Sequence, residues 1–294
     1  MGTLTFIPWR SSTTVLTADL TEEPDGIPYQ DAASWFAKQT ETRIYRGQED
    51  STLPIRSTLA RYKPAGTDLE VAGKRMLEHF RLDGPFRDDD LRSSILDWRD
   101  PKSDPNLDPH QLMVRWEMLA QHYGVPTRLI DWSDSFHTAL FFAFGGWSSI
   151  NIKAPKRPCV WCLDPLKVEE GGIALRKTKA GEPNATLEDY LKYDDAVHVI
   201  PREQSVNSRQ RAQRGWFAHM RSSFVPLEDY FEANSDSFAK GTLIRIPLRS
   251  DQQEGVLRML ADAHTTAAHI RGDVEGVAKD AVNKFLRFKF ELDI

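Results

Sequence analysis

Gln121-His122-Tyr123-Gly124-Val125-Pro126-Thr127-Arg128-Leu129-Ile130-Asp131-Trp132 is the stretch on which the reading of this chain turns. Before it, Gln111 to Tyr123 repeats apolar residues at helical spacing. Gly124 and Pro126 end that helix, because glycine tolerates a left-handed turn and proline cannot continue one. Such a sharp exit projects His122, Thr127, Arg128 and Asp131 around one corner. Arg128 and Asp131, three apart, are expected to pair and clamp the loop ahead of a helix starting near Ser133 to Ser135. That helix turns Ala139, Leu140, Phe142 and Ala143 inward. Arg128, Asp131 and Trp132 thus read as structural, and His122, Tyr123 and Thr127 as pocket residues.

Working outward, the N-terminal residues read as a strand and a loop ending in the turn-rich run Thr21 to Pro28. Asp31 is expected to cap a helix from Ala32 to Gln39. Thr42 to Arg46 alternates like a half-buried strand and stops at Gly47. A further helix is expected over Leu69 to Phe80, then a Pro/Asp-rich loop from Asp97 to Pro109. Pro158 to Leu163, Asp195 to Ile200 and Thr242 to Ile246 read as strands. Helices follow over Gln252 to Ala263 and Gly272 to Asn283, then a strand over Phe285 to Leu292. Strands and helices alternate irregularly, which predicts an α+β fold rather than a doubly wound sheet.

Composition narrows the function classes. The 294-residue chain has 40% hydrophobic and 28% charged residues, a globular balance, and a net charge of −5. That charge excludes a chain-wide basic footprint for nucleic acid, although Arg202, Arg209, Arg211 and Arg214 form a local basic cluster. The first ten residues lack the order of a secretory leader, and Phe6 breaks the myristoylation pattern. Thr138 to Trp147 is too short to span a bilayer. A cytoplasmic protein with reduced thiols and no membrane association is expected. Cys159 and Cys162 have C-x-x-C spacing, but positions three apart on a strand face opposite ways and do not grip one metal. No glycine-rich phosphate loop and no nucleophile elbow is present.

Three islands carry residue types that packing alone does not ask for. They are Tyr45-Arg46-Gly47-Gln48, the Gln121 to Trp132 block with Ala139 to Ala143, and Asn207 to Phe217. Arg46 offers a rigid donor fork suited to phosphate, and the missing side chain of Gly47 admits close approach of backbone or ligand. Arg209 and Gln213 share a face if their segment is helical, and a Gln amide both donates and accepts. Gly215, Trp216 and Phe217 suit a tight turn into a buried strand.

Together these islands resemble the FRG-domain family. Its aromatic-Arg-Gly is matched by Tyr45-Arg46-Gly47, its His-Tyr-Gly-x-Pro-Thr-Arg-Leu-x-Asp-Trp block by His122 to Trp132, and its Arg-x-x-x-Gln-x-Gly-x-Phe element by Arg209 to Phe217. The resemblance implies one FRG-type domain over residues 1–294, with 1–28 an N-terminal extension and 29–294 the core. The order of elements is in turn similar to ADP-ribosyltransferase-like folds, which implies a split mixed or antiparallel β-sheet with flanking helices and NAD held in its cleft.

From that likeness follows an expected activity: an intracellular toxin or antiviral-defence effector that transfers ADP-ribose from NAD to a macromolecule. The acceptor is RNA, DNA or protein, a neutralising antitoxin is a candidate partner, and no metal is expected. The alternatives are a non-catalytic nucleotide- or nucleic-acid-binding module and a hydrolase of NAD or another nucleotide. Catalytic roles fall to His122, Thr127 and Gln213, and cofactor binding to Arg46, Gly47, Gln48, Tyr123 and Arg209. Tyr123 or Trp132 would stack nicotinamide. Such chemistry asks for a carboxylate near an oxocarbenium-like centre. The third island offers Gln213 instead, with Glu203 and Asp131 as the nearby substitutes.

Overall fold

The computed structural model describes residues 5–8, 13–17, 26–38, 41–62, 68–83, 109–145, 157–180, 197–201, 213–220, 224–271 and 275–281. Its centre is set by β5 (Cys159–Leu163), which is buried along its whole length. Val160 and Cys162 point into one apolar cluster, with Ala139, Leu140 and Ile246. Cys159, Trp161 and Leu163 point into another, with Ile44, Ile130 and Val168. Alternate side chains of a strand leave by opposite faces, so an uninterrupted apolar run means a sheet covered on both sides.

The two cysteines are free, and they face opposite clusters as their spacing requires. Burial pushes each thiol up to about 12. An unfolded chain gives up these protons near the ordinary thiol value, whereas the folded chain keeps them. The stability they contribute is therefore complete below about pH 9 and is lost as the pH climbs toward 12. A thiol-reactive dye at neutral pH should label neither cysteine until denaturant is added. Rapid labelling of the folded protein would contradict their burial.

Around β5 the described strands form an eight-stranded sheet in the order β1-β2-β8-β5-β3-β4-β7-β6. These are β1 (Thr5–Pro8), β2 (Thr13–Thr17), β3 (Ile44–Gln48), β4 (Leu129–Ser133), β6 (Val197–Ile200), β7 (Gly215–Met220) and β8 (Leu243–Pro247). From β8 to β6 every pairing is antiparallel, and β2 joins β8 in parallel. The α+β expectation holds. The N-terminal segment, read as a strand and a loop, contributes two paired strands to the sheet edge.

The sheet narrows at its middle. β3 runs along β5 from Ile44↔Leu163 to Gln48↔Cys159, and β4 runs along β7 from Leu129↔His219 to Ser133↔Gly215. Between β3 and β4 there is one register pair, Tyr45↔Ser133. Beyond that pair the ladder stops.

Helices cover the faces. α1 (Tyr29–Phe36) starts earlier than its sequence suggested, with Pro28 as N-cap, so Asp31 lies in the first turn and is not the cap. Its exposed Tyr29 amide is met by the side-chain oxygen of Gln252 at 2.9 Å. α2 (Thr58–Arg61), α3 (Leu69–Asp83) and α4 (Pro109–His122) precede β4. α5 (Phe136–Ala143) begins at Ser135, whose side chain accepts from the Thr138 amide at 3.3 Å. α6 (Pro165–Ala180) and α7 (Leu227–Ala233) were not anticipated, whereas α8 (Gln253–Asp262) was. α9 (Ala267–Arg271) follows, and residues 275–281 are helical within the expected Gly272 to Asn283 span. The strand expected over Phe285 to Leu292 lies outside the described residues. Among the described residues no helix is long and apolar enough to cross a membrane.

Candidate functional site

The opening beside the single β3–β4 pair is a cavity of about 310 Å³. Its walls include Arg46 and Gly47 of β3, Asp131 and Ser133 of β4, Gln121 and His122 of α4, Phe142 of α5, and Gln213. The three islands therefore converge on one space. That volume is at the lower end of the ~300–1,000 Å³ usual for small-molecule sites.

The helix exit that forms one wall is a Schellman turn. The Val125 amide donates to the Ala120 carbonyl at 3.0 Å, and the Gly124 amide to the Gln121 carbonyl at 3.0 Å. Gly124 supplies the left-handed φ of 86°, and Val125 packs back on Leu119 and Ala120. The chain then reverses into β4, so α4 residues near its C-terminus face the inward side of that strand.

Arg46 spans the point where the ladder ends. Its Nη1 donates to the Asp131 main-chain carbonyl at 2.8 Å, replacing a bond that β3 and β4 no longer make directly. Its Nε is sealed from solvent with no acceptor. Burial lowers the guanidinium below its usual range, the Asp131 charge opposes that, and Arg61 adds to it. Among the described residues no carboxylate lies within ion-pair distance of Arg46. A half-buried guanidinium with one neutral partner has donors left to offer an anion.

Asp131 does not clamp Arg128, as its spacing had suggested. Its Oδ1 accepts from Gln121 Nε2 at 2.6 Å, and Arg128 lies over the Phe224 ring at 5.6 Å. The strand accounts for this, since residues three apart on β4 and its approach leave by opposite faces. Exposed Asp131 is thus the carboxylate of the cavity, and Gln121 its neighbour.

The other candidates separate. His122 and Gln213 line the cavity, the latter held where Ser133 Oγ donates to its main-chain carbonyl at 2.6 Å. Thr127 is buried away from the cavity and reaches it only through Gln121, to whose Oε1 its hydroxyl donates. Tyr123 is 49% exposed and packs on Phe80, outside the lining. Gln48 turns its amide to the Leu53 carbonyl at 3.3 Å and is not in the wall. Gly47 lines the cavity, but the space beside it is taken by α5, so close approach there is by backbone and not by ligand. Trp132 borders the cavity while packing in an apolar cluster at 3% exposure, whereas Tyr45 and Phe142 are half-buried aromatics of its wall. Arg209, Arg202, Arg211 and Glu203 lie outside the described residues. Arg214 is paired with Asp134, a structural use of that part of the basic cluster.

Sequence reasoning missed Gln121 and Phe142 as site residues, and it gave Asp131 a structural role first and a catalytic one only as a substitute carboxylate. The signal for Gln121 and Asp131 was their shared position on either side of one helix exit. No curated protein and no solved structure matches the chain. A family model does match, over a segment that contains Arg46, Gln121, His122 and Asp131: the chain carries an FRG domain across residues 41–149.

Proposed function

We propose that the cavity binds the phosphoribosyl part of NAD and that the protein transfers ADP-ribose from it to a macromolecular acceptor. The observation that carries this reading is the half-buried Arg46 guanidinium, with a carbonyl partner on Nη1 and none on Nε, facing the same cavity as the Asp131 carboxylate. A donor-only fork selects phosphate oxygens, and an acceptor-only carboxylate selects hydroxyls or developing positive charge. His122, Gln121 and Gln213 add groups that both donate and accept, and Phe142 adds an aromatic face. The narrowing of the sheet at β3–β4 supports the likeness to ADP-ribosyltransferase folds, where the dinucleotide lies in a break of the sheet.

In this mechanism Arg46 holds the pyrophosphate and Phe142 flanks a base. Asp131 stabilises the oxocarbenium-like centre that forms as the nicotinamide–ribose bond breaks. The leaving nicotinamide keeps the bonding electron pair, the acceptor nucleophile supplies the pair for the new bond to the ribose carbon, and its proton passes to solvent. The wider reading, a cytoplasmic toxin or defence effector with a neutralising partner, rests on the sequence resemblance alone.

Incubating the protein with NAD labelled in its adenylate and with mixed RNA, DNA and protein tests the reading. Label on a macromolecule is the expected result. Free ADP-ribose without transfer would make the protein a hydrolase, and intact NAD a binding module.

A further inference from the structure

Thr127 is fixed on every side. Its amide donates to Thr58 Oγ1 at 3.0 Å, and its carbonyl accepts from the Leu59 amide at 2.9 Å and from the Thr58 hydroxyl at 3.2 Å. The Leu129 amide donates to Thr127 Oγ1 at 3.3 Å, so the one hydroxyl proton is directed to Gln121 Oε1. With its oxygen so occupied, Gln121 turns its amide nitrogen toward Asp131, 2.6 Å from Oδ1. Rotating that amide by half a turn would set oxygen against carboxylate and lose the bond to Asp131. The Asp131 main chain is held in turn by Arg46 and by the ladder to Phe217. Its second carboxylate oxygen, Oδ2, meets no donor among the described residues, while the residue is exposed at the cavity wall.

We propose that Thr127 and Gln121 are a positioning pair that aims Asp131 Oδ2 at the sugar hydroxyls of the ligand, so that the cavity selects a ribose phosphate over phosphate alone. The proposal rests on the nucleotide reading above and adds to it the group that reads the sugar. Arg46 recognises any anion of suitable size. A carboxylate accepts hydrogen bonds only, so it repels a bare anion and rewards a ligand that brings donors beside its phosphate. Neither Thr127 nor Gln121 need touch the ligand for this: they set the direction of the oxygen that does.

Calorimetric titration with two probes, ADP-ribose and inorganic pyrophosphate, separates the roles. Asp131→Asn should weaken ADP-ribose by about tenfold or more and leave pyrophosphate unchanged or tighter. Thr127→Val and Gln121→Met should lower the ADP-ribose to pyrophosphate ratio in the same direction, and Thr127→Ser should restore it. Gln121→Met, at a half-buried helical position, keeps the test in hand if Thr127→Val melts early. A merely structural role would weaken both probes together, and that result overturns the proposal while leaving the nucleotide reading in place. A wild-type protein that binds neither probe overturns the reading and the proposal with it.

Discussion

Replacing Arg46 by glutamine should weaken ADP-ribose binding by about tenfold to a hundredfold and abolish transfer from NAD. A charge-assisted hydrogen bond to phosphate contributes about 1.5–3 kcal/mol, which sets that range. The effect is expected at its upper end, because half-buried Arg46 lines the cavity with its Nε sealed from solvent and without an acceptor. Arg46→Lys should not restore binding, since an ammonium cannot both reach the Asp131 carbonyl and present a planar fork to the ligand. The same substitution removes the bond that ties β3 to β4 past their single register pair, with a stability loss of about 1 kcal/mol. Thermal melting beside calorimetry separates the two effects. A variant that stays folded and binds ADP-ribose as tightly as wild type removes Arg46 from the site, and one that is largely unfolded makes it structural.

Gly47→Ala should be among the most damaging single substitutions in the domain. An added Cβ would stand 1.9 Å from the Ala139 carbonyl oxygen and 2.5 Å from the Ala143 amide nitrogen, both helix backbone that cannot rotate away. The helix α5 must lift off β3 and open the cluster of Ala139, Leu140 and Val160. Overpacking of this kind costs about 3 kcal/mol or more, which lowers the melting temperature by roughly 6–12 °C for a chain of this size. Gly124→Ala provides the contrast. Nothing lies within 4 Å of its added Cβ, so only the φ of 86° resists and the loss should be about 1–2 kcal/mol. Melting curves showing the two alanines equally harmful would mean that α5 does not rest on Gly47 as described.

These two positions also show what a sequence can reveal. Tyr45-Arg46-Gly47 could be seen as a strand end with a charge beside a gap, and the structure supplies what fills the gap: a helix and not a ligand. Glycine and proline marked the end of α4 within one residue, because φ preference and a missing amide act locally. The strand β4 escaped notice for the opposite reason. Its five residues, Leu129 to Ser133, are buried at all but Asp131, so they show no alternation, and they follow a turn that seemed to lead straight into a helix. Once that strand is missed, Asp131 looks like a partner for Arg128, whereas in the sheet it faces Gln121 and the cavity. Thr127 was drawn as a pocket residue on proximity in sequence, yet its hydroxyl works one bond further back. Tertiary pairing, which no local preference encodes, decided each of these.

The most direct test is a crystal structure of the protein soaked with ADP-ribose. A phosphate oxygen about 3 Å from the Arg46 guanidinium and a ribose hydroxyl at hydrogen-bond distance from Asp131 are the expected result. ADP-ribose ordered elsewhere on the surface, with the space between β3 and β4 left to water, would contradict it.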